Sequence, residues 1–91
     1  MTPNKLRDLL GNADLTQSAR AAMSVATGVQ DYPDKGVRLM GTAAAFLLAA
    51  EASGLPVTDV IGMARNCINT AEGKRPEFAA VADYVQHEVL A

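Results

Sequence analysis

The sequence predicts an all-α protein, a compact bundle of about five helices with a short N-terminal helix and four longer ones. Three observations carry this. Apolar residues recur at three- and four-residue spacing along most of the chain. No stretch alternates apolar and polar residues over a useful length, so strand signals are nearly absent. Capping residues, glycines and prolines divide the periodic runs at regular intervals. At 91 residues the chain is expected to be a single domain, 1–91.

Thr2 before Pro3 reads as an N-cap followed by proline at the first helical position. Leu6, Leu9 and Leu10 form a short apolar stripe, and Gly11 can end the helix. Asp14 can cap the second helix, with Gln17 placed to reach back. Leu15, Ala19, Ala22, Ala26 and Val29 line one face of it, and an end near Gly28 is expected. A loop rich in glycine, proline and aspartate then spans 28–36. The third helix, 34–53, has an apolar centre on every side and reads as the buried central helix. Gly41, Ala45 and Ala49 lie four apart on it, where another backbone can come close. Gly54 suits a left-handed C-terminal position. Pro56 blocks continuation, and Thr58 can cap a fourth helix running to about Ala71. Its stripe is Val57, Val60, Ile61, Ala64, Ile68 and Ala71. Pro76 and Glu77 open the last helix, whose stripe is Phe78, Val81, Ala82, Val85 and Val89.

The stretch "AAEASGLPVTDVIGMARN", 49–66, reads as a helix-turn-helix-like corner. Ala50 supplies the small crossing residue, Gly54 the turn, and Leu55, Val60 and Met63 the lock between helices. Ser53 departs from the pattern, which usually has a larger apolar residue before the glycine. A DNA reader must also offer polar and basic side chains outward. Arg65, Asn66, Asn69, Lys74 and Arg75 are the candidate contacts to DNA or to a protein partner. Asp59, at the leading end of the second helix, would repel phosphate. Between 58 and 75, Arg65, Lys74 and Arg75 stand against Asp59 and Glu72, an excess of one positive charge. The whole chain carries −2. That is a thin electrostatic footing for nucleic acid, so a packing corner is the favoured reading.

Little else points to chemistry. One cysteine, Cys67, allows no internal disulfide and reads as a small, buried apolar group. His87 and Asp83, four residues apart, read as a surface pair. The few His, Cys and acidic residues lack metal-ligand spacing, and the glycines follow no strand, so no metal or cofactor is expected. The corner "EGKRPEF" could hold an anion but reads first as a solvated turn. Met23, Met40 and Met63 are expected to fill the core, a soft contact surface being the alternative. The longest apolar run, "AAAFLLAA", is far short of the ~20 residues of a membrane helix. A soluble cytoplasmic protein without membrane association is therefore expected.

Residues 38–89, "RLMGTAAAFLLAAEASGLPVTDVIGMARNCINTAEGKRPEFAAVADYVQHEV", resemble small uncharacterised helical proteins of tailed bacteriophages. The likeness lies in the alanine-rich helix, the "G-x-x-x-x-D-V" turn and the "EGKRPEF" lead into a terminal amphipathic helix. It implies a host-cell or virion setting and assigns no functional residues. The expectation is a non-enzymatic interaction protein that binds a host or phage protein or forms a homo-oligomer. A small DNA-binding regulator and a minor virion component are the alternatives.

Overall fold

The computed structural model describes residues 2–91, which form an all-α bundle of five helices. These are α1 (Pro3–Gly11), α2 (Leu15–Gln30), α3 (Lys35–Ser53), α4 (Val57–Ile68) and α5 (Pro76–Tyr84). A two-residue hairpin, β1 (Asn69–Thr70) and β2 (Gly73–Lys74), joins α4 to α5, and a π-helical turn, Val85–Val89, extends α5. Among the described residues no single helix is long and apolar enough to cross a membrane.

The expected caps at the front of the chain are formed. Thr2 Oγ1 accepts from Lys5 N–H at 3.3 Å, and Asp14 Oδ2 accepts from Gln17 N–H at 2.8 Å. Asp34 Oδ1 accepts from Gly36 N–H at 2.7 Å and starts α3. Each satisfies an N–H that a helix leaves unpaired at its first turn. α2 runs through Gly28 to Gln30, against the expected stop. A glycine lowers helix propensity but blocks nothing; the effective stop is Pro33, which disfavours helical backbone at Tyr32.

α4 begins at Val57, with Pro56 in the capping position and no side-chain cap, so Thr58 does not cap it. The Pro56 carbonyl already accepts from the N–H groups of Asp59 and Val60, at 3.0 and 3.2 Å, which sets the helix start ahead of the threonine. The helix stops at Ile68, not near Ala71. There the chain turns into the hairpin, pairing Asn69 with Lys74 and Thr70 with Gly73. Arg75 N–H donates to Ile68 O at 2.7 Å, and the Thr70 hydroxyl accepts from Glu72 N–H at 3.2 Å. The sequence reading found no strand there because two-residue strands have no periodicity to detect.

α2, not α3, is the hub. It packs on α5, on α3 and on the π turn. Ala19 and Ala26 of its predicted face are buried, as are Phe78 and Val89 of the last stripe. α3 touches chiefly its sequence neighbours α2 and α4. Of its 19 residues only Ala50 is buried. The expectation that α3 is the buried central helix is therefore overturned. Packing of α2 against α5 closes the layer without it and leaves a flat molecule of 38 × 30 × 19 Å.

Candidate functional site

The 49–66 corner has the geometry the sequence promised. α3 and α4 meet at 115°, within the range of helix-turn-helix crossings. Ala50 and Leu55 are buried at 3% and 6% exposure. Gly54 adopts φ 76°, and a Cβ there would stand 3.2 Å from Pro3 Cγ, so α1 packs where only glycine fits. The anomalous Ser53 has a local purpose. Its hydroxyl donates to Ala50 O at 2.6 Å and accepts from Leu55 N–H at 3.1 Å, closing the end of α3.

The five candidate contact residues converge at the C-terminal end of α4 and the hairpin. Arg65, Asn66, Asn69 and Lys74 are exposed, and Arg75 is half-buried. Asn69 Nδ2 donates to Arg65 O at 3.2 Å, and Arg75 Nη2 donates to Asn66 O at 3.3 Å. Arg75 is thus turned onto the carbonyl end of α4, where a cation suits the helix dipole. At the opposite end, Asp59 Oδ2 accepts from Arg7 Nη2 at 3.0 Å, both side chains being a little over two-fifths exposed. The basic groups therefore cluster at the trailing end of α4, while its leading end carries a neutralised acid.

Three other expected features have a defined place in the fold. His87 Nδ1 lies 3.3 Å from Asp83 Oδ1 on an open surface, the predicted pair. Cys67 is half-buried beside a 430 Å³ cleft shared by Leu10, Met63 and Arg75. Met23 and Met63 are half-buried, but Met40 is 68% exposed, so it does not fill the core.

Met40 belongs to an exposed apolar face of α3. Val37, Leu39, Met40, Phe46, Leu47 and Leu48 all stand exposed on α3, Leu48 at 65%. Gly41, Ala45 and Ala49 are exposed as well. No charged residue lies between Arg38 and Glu51. Beside this helix a 470 Å³ apolar cleft opens between α2, α3 and the C-terminal turn, lined by Val25, Val29, Leu39, Phe46, Val85 and Leu90. Arg38 also lines it, donating from Nη1 to Val89 O at 2.8 Å and from Nε to Tyr32 O. Arg38 is not among the residues the sequence singles out. The one available signal was a cation at the edge of the uncharged stretch 39–50.

Comparison with protein-family models, curated proteins and solved structures returns no match.

Proposed function

We propose that the protein is a small, non-enzymatic interaction module whose working surface is the apolar face of α3 with its adjoining cleft. The observation that carries this is an apolar helix with one face left exposed among the described residues. A helix that is apolar all round belongs in a core, yet Leu48, Met40 and Leu39 are 65%, 68% and 57% exposed. Contiguous exposed apolar surface on this scale marks a docking site. The phage resemblance directs the search for partners toward phage or host proteins, in a cytoplasmic or virion setting.

The combined variant Met40→Gln, Leu48→Gln tests the reading, because glutamine keeps the side-chain length and the helix propensity. The expected result is an unchanged far-UV circular dichroism spectrum with weaker retention on a phenyl matrix. Any associated chain should also be gone in native mass spectrometry. A variant whose helices melt because its amides are trapped beneath its own chain would overturn it.

DNA binding is the second reading, favoured by the 115° crossing and by the exposure of Arg65, Asn66 and Asn69. Its weakness is polarity: base-reading helices lead with their N-terminal residues, and here that end carries Asp59. Fluorescence anisotropy with mixed-sequence duplex at roughly 50 and 200 mM salt separates the two, since phosphate binding falls steeply over that range. No binding at either salt leaves the corner a packing device.

A further inference from the structure

We infer that the occupant of the α3 face is a second copy of this chain, its α3 running antiparallel across a two-fold axis at Ala44. This rests on the docking reading above and goes further by naming the partner. Three observations lead to it.

The first is area. A folded monomer of 9.5 kDa is expected to expose about 5,000 Å², but this one exposes 6318 Å². The surplus, about 1,300 Å², exceeds the roughly 800 Å² per partner of a standard interface. A second copy can remove such a surplus from both chains at once.

The second is the spacing on the outward face. Val37, Met40, Ala44, Leu48 and Glu51 recur at intervals of three, four, four and three, one continuous stripe on a helix. That spacing, though not the residue types, is the same in both directions from Ala44. A two-fold interface is self-complementary: if residue i meets residue j, then j meets i. Antiparallel pairing about Ala44 sets Met40 against Leu48 of the second copy, and Leu48 against its Met40. Ala44 and Gly41 at the centre let the axes approach to about 8 Å.

The third is charge. Lys35 opens α3 and Glu51 stands in its last turn. Each lies at the end of the helix dipole that disfavours it. Lys35, nine residues before Ala44, lies on the side of α3 away from the stripe, but Glu51 lies on it, and antiparallel pairing sets Glu51 beside the N-terminal end of the second helix, whose dipole favours it. A parallel pair would set like charge beside like.

Cross-linking and mass together test this. Cysteine is placed at 44 or at 37 in a Cys67→Ser background, and each protein is oxidised. In the antiparallel pair Ala44→Cys faces its own copy within disulfide reach. Val37→Cys sits roughly 21 Å from its copy along the axis. The expected result is a disulfide dimer from A44C and none from V37C. Sedimentation equilibrium at about 50 μM should give twice the chain mass, with Leu48→Glu weakening association at least about 100-fold. Equal cross-linking at both positions would overturn the antiparallel arrangement. A dimer indifferent to L48E would place the interface elsewhere and overturn the inference. A wild-type monomer that still binds the phenyl matrix would sink the second copy while sparing the docking surface. A monomer that does not bind it would sink both.

Discussion

At the scale of the residue, glycines with the same side chain have opposite duties. Gly54 has φ 76° with Pro3 Cγ 3.2 Å from any added Cβ, whereas Gly28 sits in α2 with nothing within 4 Å. Gly54→Ala should therefore cost about 1–2 kcal/mol through backbone strain and contact with Pro3. Gly28→Ala should stabilise by about 0.5–1 kcal/mol through helix propensity. Urea unfolding of the two variants checks both, and equal signs would contradict this account. Only the Gly54 role was legible in sequence, because the Pro56 that follows it announces a stop. Gly28 carried the same letter and misled the placement of a helix end.

At the scale of the element, legibility followed the strength of periodicity. The α2 and α5 stripes were read residue by residue because their burial is one-sided. α3 departs from its expected burial because an apolar helix signals burial without saying whose surface does the burying. The start of α4 was misplaced because a proline carbonyl outcompeted a threonine cap, and the hairpin was too short to have a pattern. The π turn was hidden for a different reason. A single widened turn, closed by Leu90 N–H on Val85 O at 3.0 Å, leaves the apolar spacing nearly intact. That turn buries Val89 and presents its carbonyl to Arg38, which fastens α3 to the end of the chain. Arg38→Ala removes both of the arginine's hydrogen bonds to backbone carbonyls. It should destabilise by about 1.5–3 kcal/mol, since charge-assisted bonds exceed neutral ones. Hydrogen exchange should then quicken in 85–91 well before it does in α2. Uniform loss of protection instead would mean that α3 and the C-terminal turn unfold with the rest as one unit.

At the scale of the molecule, the core is slight. Among the described residues the buried apolar set is Ala19, Ala26, Ala50, Leu55, Phe78 and Val89, half of it alanine. The radius of gyration is 13.7 Å, against about 12 Å for a globular domain of this length. Hydrophobic stabilisation scales with apolar area removed from water, so an isolated chain of this shape should be weakly stable. The area missing from the core is the area exposed on α3. If a second copy covers it, folding and association are linked, and stability must depend on protein concentration. For a folded dimer that unfolds to separate chains, a 40-fold rise in concentration is worth about 2 kcal/mol per dimer. At the entropy of unfolding usual for this many residues, that raises Tm by about 4–8 °C. Thermal melts followed by circular dichroism at two concentrations 40-fold apart would show it. Leu48→Glu should lower Tm and erase the concentration dependence, since its unfolding no longer involves a second chain. A wild-type Tm that stays fixed across that range would mean the thin core suffices alone, and the exposed helix would then await a different protein.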